Sequence, residues 1–254
     1  MTATQDRAPS AARRAGSLLK ELVIVVVGAL VISTLLRAFV GQMFIIPSGS
    51  MEHTLDIGDR VAVSKIGGFE RGEIVVFADP GGWLPDLGAA NVSPVGRALE
   101  FVGFPSGSTN HLIKRVIGMP GDRVICCDGR GRITVNGTPL DERAYLYTDS
   151  AGVQVAPSDV KFDVTVPTGR IWVMGDHRDA SADSRCHLQD VGLDGIRGGA
   201  AFVPESDVVG PAFAIALPVG RTQLLHVPTT FADVPAPREA APKEPVIATK
   251  SASC

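Results

Sequence analysis

Leu112-Ile113-Lys114-Arg115-Val116-Ile117 is the stretch on which the fold turns. Apart from two cations it is apolar and rich in β-branched residues, its length suits a strand, and Gly118-Met119-Pro120-Gly121-Asp122 closes it with turn-forming residues. Strand alternation puts Leu112, Lys114 and Val116 on one face and Ile113, Arg115 and Ile117 on the other, so the ammonium group has apolar neighbours. Lys114 is then either a surface lysine on a half-exposed strand or a buried one whose charged form is disfavoured.

The same punctuation continues on both sides. Short Val- and Ile-rich stretches separated by Gly, Pro and Asp mark candidate strands at 60–65, 73–77, 112–117, 123–127, 132–135, 160–166, 171–174 and 208–217. Asn136-Gly137 is a hairpin signal, because both residues tolerate positive φ. The expected fold class is mainly β: an antiparallel sheet or partial barrel, preceded by one N-terminal transmembrane helix.

That helix is read from an apolar run, Leu22 to Ile46, behind a segment carrying Arg7, Arg13, Arg14 and Lys20. The basic flank predicts that this end stays in the cytoplasm while the body is exported. Its uncharged part, Leu22 to Leu36, also fits a cleavable secretory signal. Residues beyond Arg37 lengthen the run toward the roughly 20 needed to span a bilayer, and no small-x-small cleavage site follows, which favours an uncleaved anchor. The expected organisation is a cytoplasmic basic segment at 1–21, an anchor at 22–42, an extracytoplasmic β-rich domain at 43–222 and a disordered Pro/Ala-rich tail at 223–254. Of the 254 residues, 24 are Lys or Arg and 27 are Asp or Glu, without a basic and aromatic cluster of the kind that binds nucleic acid.

Two features leave alternatives open. Cys126, Cys127, Cys186 and Cys254 lack zinc-site spacing. They read as reduced small residues, with a bridge from Cys126 or Cys127 to Cys186 as the other possibility; a bond between adjacent cysteines is expected to strain the backbone. The Gly- and Pro-punctuated insertion at 79–110, with Trp83, Leu84, Leu99, Phe101, Val102 and Phe104, is either a membrane-facing loop or one packed on its own domain.

Pro47-Ser48-Gly49-Ser50-Met51 places serines just beyond the apolar run. A serine hydroxyl needs a neighbouring base before it becomes a useful nucleophile. His53, His111, His177, His187 and His226 are candidates, yet no Gly-x-Ser-x-Gly elbow surrounds a serine. Lys114 is the other candidate, provided that burial brings its pKa from about 10.4 toward about 7 to 8. Ser48 either caps a turn or, with the Ser50 N–H, faces an oxygen that becomes negative during acyl transfer. Gly175-Asp176-His177-Arg178-Asp179-Ala180-Ser181-Ala182-Asp183-Ser184-Arg185 reads as a solvated polar loop or as a charge-compensated support in which Ser181 holds the lysine amine. It lacks the spacing of a calcium loop.

Together with Gly58-Asp59-Arg60 and Arg71-Gly72-Glu73-Ile74-Val75-Val76-Phe77, these blocks resemble the bacterial type I signal peptidases, membrane-anchored Ser/Lys enzymes that remove signal peptides from exported preproteins. The resemblance spans residues 43 to 210. It implies a mostly antiparallel β domain with apolar surface near the lipid bilayer, acting as a monomer without metal or organic cofactor. It also implies Ser50 as nucleophile, Lys114 as general base, and Ser48 with the Ser50 N–H as oxyanion hole. Ser181 orients the lysine in that scheme, and Asp176, Arg178, Asp183 and Arg185 form the supporting network. Two positions depart from the family pattern: His53 replaces a usual proline, and His177 stands where asparagine is common.

Overall fold

The computed structural model of the protein describes residues 20–33, 41–84, 110–193, 195–249 and 254. The chain divides into two units, residues 1–40 and 41–254. In the first, residues 20–33 are helical and carry exposed apolar side chains, among them Leu22, Ile24, Val25, Leu30 and Ile32. Among the described residues no helix is long and apolar enough to cross a membrane. Residues 34–40 of the expected anchor lie outside the described residues.

The second unit is mainly antiparallel β. Its larger sheet follows the order β1 (Gly41–Ile45), β2 (Arg60–Ser64), β11 (Val208–Leu217), β3 (Ile74–Ala78), β4 (His111–Gly118), β9 (Arg170–Met174) and β10 (Val203–Pro204), and β12 (Gln223–Leu224) pairs with β11. The smaller sheet is ordered β13 (Val246–Ile247), β8 (Phe162–Thr165), β5 (Arg123–Cys126), β6 (Ile133–Val135) and β7 (Thr138–Pro139). The hairpin from β6 to β7 turns at Asn136 and Gly137, with φ of 53° and 86°, the positive values that the Asn-Gly pair anticipates.

Strand β4 lies between β3 and β9, with Lys114 opposite Val75 and Arg115 opposite both Ile74 and Met174. It is covered on both faces, and every residue from Lys114 to Gly118 is buried. The turn that carries Ser50 is fastened separately. Ile46, Met51 and Leu55 are at most 1% exposed and pack with Val61, Val63, Ile74, Val76, Ile113, Ala212 and Ile215, so apolar anchors lie on both sides of Ser50. Burying each of these side chains contributes roughly 1.5–3 kcal/mol.

Three sequence expectations change, for the end of the anchor, the cysteines and the tail, and at Trp83 the open alternative of a loop packed on its own domain is the one observed. Gly41 and Gln42, read as the end of the anchor, begin β1, because the 41–45 backbone pairs residue by residue with β2 and Phe44 packs on the core. Trp83 is buried: it meets Phe77 edge-on, stacks on His187, and donates from Nε1 to the Ala200 carbonyl at 2.8 Å. Leu99, Phe101, Val102 and Phe104 lie outside the described residues. The cysteines are not reduced, since Cys126 bonds Cys127 and Cys186 bonds Cys254.

The tail is not a disordered segment over residues 223–249. Phe231 and Val234 are buried in the main core beside Leu140 and Tyr145, and β13 pairs with β8. Thr168 N–H donates to the Pro242 carbonyl and Ala248 N–H to that of Asp163, each at 2.8 Å. Its prolines hold an extended strap at fixed φ, and spaced apolar side chains fasten that strap to the domain. The strap also explains Gly72: at φ 86° it sits so close to Phe231 that an added Cβ would come within 2.6 Å of the ring. Phe231→Ala is therefore expected to lower the unfolding free energy by about 3 kcal/mol. The measurement is the denaturant midpoint at unchanged slope; a loose tail requires no shift.

Candidate active site

The turn that presents Ser50 is a single 3-10 turn, Gly49–Met51, closed by Glu52 N–H donating to the Gly49 carbonyl at 3.0 Å. Main-chain bonds from Ile46 to Asp59 and from Gly58 to Ile46, each 2.9 Å, lock the returning chain against the turn. Asp59 is buried and accepts from Arg221 Nε at 2.9 Å and from the Asp56 N–H at 2.9 Å. His53 has φ 83°, a value closed to proline, so the departure from the family pattern has a conformational counterpart.

Across this turn, Lys114 Nζ lies 2.5 Å from Ser50 Oγ, and Ser48 Oγ lies 3.5 Å from the same oxygen. Lys114 is 4% exposed. Burial lowers its pKa from the usual 10.5 to about 8; Asp183 and Asp176 resist that fall, and Arg185 assists it. A neutral amine at this distance can accept the serine proton, which an ordinary surface ammonium cannot do.

The 175–185 segment surrounds the pair with charge-matched contacts. Arg115 clamps Asp176 through Nε and Nη2, at 2.8 and 2.6 Å, and Thr54 Oγ1 donates to Asp176 at 2.6 Å. Arg185 makes the equivalent two-pronged contact with Asp183, both bonds 2.8 Å. Burial pushes the Asp183 carboxyl up, but Arg185, the Gly175 N–H and the Ser181 hydroxyl together hold it below the usual range. Arg178 donates to the Gly175 carbonyl at 2.9 Å and to Glu142 at 2.5 Å.

Ser181 does not take the amine directly. Its hydroxyl donates to Asp183 Oδ2 at 2.8 Å, so its link to Lys114 runs through that carboxylate. It still borders the pair: a Cβ on Gly175 would fall 2.3 Å from Ser181 Oγ and 2.5 Å from the Ser50 carbonyl oxygen, which leaves room for glycine alone. Every residue expected in the site thus gathers in one place. Among the histidines, His177 approaches the turn through its carbonyls: its N–H donates to Ser50 O at 3.1 Å, and its ring faces Gly49 O.

Sequence reasoning missed Glu142 and Tyr145 and gave Arg115 no role. Glu142 Oε1 accepts from both Arg178 and the Tyr145 hydroxyl, and Arg115 stacks over the Tyr145 ring at 4.3 Å. Arg115 was detectable as the cation beside Lys114 on the opposite strand face. Glu142 lies 36 residues from its partner, and nothing local marks it. Among the described residues no cluster of three or more His, Cys, Asp or Glu can hold a metal ion.

Residues 19–217 match the family model for signal peptidase, peptidase S26. The signal peptidase I of Mycobacterium tuberculosis (strain CDC 1551 / Oshkosh) is 38% identical over 233 residues, covering 84% of this chain and 76% of its own. The probable signal peptidase I-2 of Synechocystis sp. is 34% identical over 209 residues, covering 81% and 76%. A crystal structure of a signal peptidase I from Enterococcus faecalis aligns with 57% of this chain and 97% of its own, at 21% identity and a TM-score of 0.31.

The lowered lysine pKa fixes the sign of a pH dependence. The base-competent form is the unprotonated one, which predominates only above about 8. A small p-nitrophenyl carbamate should therefore acylate Ser50 at a rate that rises about tenfold per pH unit in acid and levels off above about 8. Intact-mass kinetics reads this rate; a rise continuing to the ordinary lysine range would remove burial as the activating effect.

Proposed function

The chain belongs to the signal peptidase family, peptidase S26, and is a serine peptidase; on that premise we propose that it is a membrane-anchored signal peptidase I acting through a Ser50/Lys114 dyad. The observation that carries this reading is the contact between the buried Lys114 amine and Ser50 Oγ.

In the proposed reaction, an extended segment of an exported preprotein lies beside Ser50. Neutral Lys114 takes the Ser50 proton as Oγ attacks the scissile carbonyl carbon. The oxygen of the tetrahedral intermediate becomes negative and is met by the Ser48 hydroxyl and the Ser50 N–H. Collapse breaks the C–N bond, the protonated Lys114 gives its proton to the departing amine, and the signal peptide remains as an ester on Ser50. Neutral again, Lys114 deprotonates a water that attacks the ester, and the returning proton restores Ser50. Asp176, Arg178, Ser181, Asp183 and Arg185 keep the loop that borders both groups in place.

Different features of the chain support a membrane-surface location. The exposed apolar side chains along residues 20–33 suit a lipid environment, and the basic residues before them favour a cytoplasmic N-terminus. Two disulfides fit an oxidising compartment outside the cytoplasm. The proposed arrangement is a single-pass monomer in the plasma membrane, anchored by the apolar run that starts at Leu22 and ends before β1 at Gly41, with its catalytic domain outside and with preproteins and the bilayer as partners.

The full chain in detergent should cleave a preprotein after a small-x-small segment, as sequencing of the mature N-terminus would reveal. Ser50→Ala and Lys114→Ala should each lower that rate by about 10³-fold or more while retaining the thermal transition. Cleavage that survives Lys114→Ala would exclude the dyad.

A further inference from the structure

The His177 ring is built into the nucleophile turn in a way that the Ser/Lys chemistry does not require. Nδ1 lies 3.0 Å from Glu52 Oε2 and 3.2 Å from the Gly49 carbonyl oxygen. Both partners are acceptors, so Nδ1 carries the proton and shares it between them. Nε2 faces Asp179 Oδ1 at 3.2 Å, and the ring stacks on Tyr147 with centroids 3.7 Å apart. Tyr147 is itself held, its N–H donating to the Asp176 carbonyl at 3.1 Å. The Glu52 carboxylate folds over Gly49 so closely that an added Cβ would meet it at 2.8 Å.

The consequence follows from peptide geometry. The Gly49-Ser50 peptide bond is trans. In a planar trans unit the C=O and the N–H point in opposite directions. Whatever fixes the Gly49 carbonyl therefore aims the Ser50 N–H. Two donors fix it, the Glu52 N–H at 3.0 Å and the shared His177 proton at 3.2 Å. The His177 N–H holds the next carbonyl, that of Ser50, so one residue restrains both peptide units around the nucleophile.

We propose that His177 is a positioning residue for the oxyanion hole: its ring locks the Gly49-Ser50 peptide so that the Ser50 N–H faces the oxygen that gains charge. This rests on the Ser50/Lys114 reading above. It separates the two properties of the ring, donation at Nδ1 and stacking on Tyr147. Asparagine at 177 keeps a side-chain donor without the stack, whereas phenylalanine keeps the stack without a donor.

The test compares His177→Phe and His177→Asn in the full chain in detergent, by preprotein cleavage and by carbamate acylation of Ser50. For His177→Phe, kcat and the acylation rate should both fall roughly tenfold or more with KM little changed, the pattern of an interaction that matters in the transition state. His177→Asn should stay within about threefold of the parent. Thermal transitions monitor folding, and if His177→Phe is unstable, His177→Leu supplies the donor-free arm. A donor-free variant as fast as the parent in both assays, or an equal loss in the asparagine and donor-free variants, would overturn the positioning role. A parent chain that neither cleaves preprotein nor acylates at Ser50 would instead overturn the dyad reading on which it rests.

Discussion

The burial of one ammonium group against one hydroxyl is the constraint from which the rest of the domain can be understood. Leaving water is unfavourable for a charged lysine, and Lys114 lies on a strand paired on both sides, with Val75 opposite it and apolar layers on both faces. Desolvation on that scale would suppress the charge far more if nothing opposed it. Asp183 and Asp176 pull the other way, and the balance falls at about 8, where both protonation states are accessible. In the proposed mechanism, a base that must accept and then return a proton benefits from that position.

The carboxylates that set this balance need restraint of their own, since each is buried. Arg115 and Arg185 take one apiece in two-pronged contacts, and Arg178 is matched by Glu142. Buried ion pairs of this kind add little net stability over a well-packed apolar core, but removing one partner strands a charge at a cost of about 3–5 kcal/mol. Their value here is geometric. They hold the 175–185 segment where Gly175 lies too close to Ser181 and the Ser50 carbonyl to admit a side chain, so the charge network and the Ser50 turn pack as one assembly.

Much of this was legible in the chain because local patterns carried it. The alternation around Lys114, the Gly/Pro punctuation and Asn136-Gly137 anticipated β2 to β6, β8, β9 and β11 and the hairpin into β7. The spacing in Pro47-Ser48-Gly49-Ser50-Met51 and the Asp/Arg-rich segment pointed to the residues that converge. What escaped depends on distant partners. Strand β1 looked like the end of an apolar run because its pairing with β2 leaves no mark in its own composition. The proline-rich strap read as unstructured because its anchors, Phe231 and Val234, bind a core assembled far earlier in the sequence. Glu142 and the Cys186–Cys254 bond were hidden for the same reason, whereas Cys126 bonds its immediate neighbour Cys127; the direct Ser181 contact expected with Lys114 gave way to one with Asp183.

The most direct measurement is the NMR titration of the Lys114 side-chain nitrogen in the intact, isotope-labelled chain, assigned by its loss in Lys114→Arg. A midpoint at about 8 in the folded protein, moving toward the ordinary lysine value of 10.5 on unfolding, is the expected result. A folded-state midpoint already at the ordinary value would mean that burial does not neutralise this amine, and Lys114 could not serve as the base for Ser50.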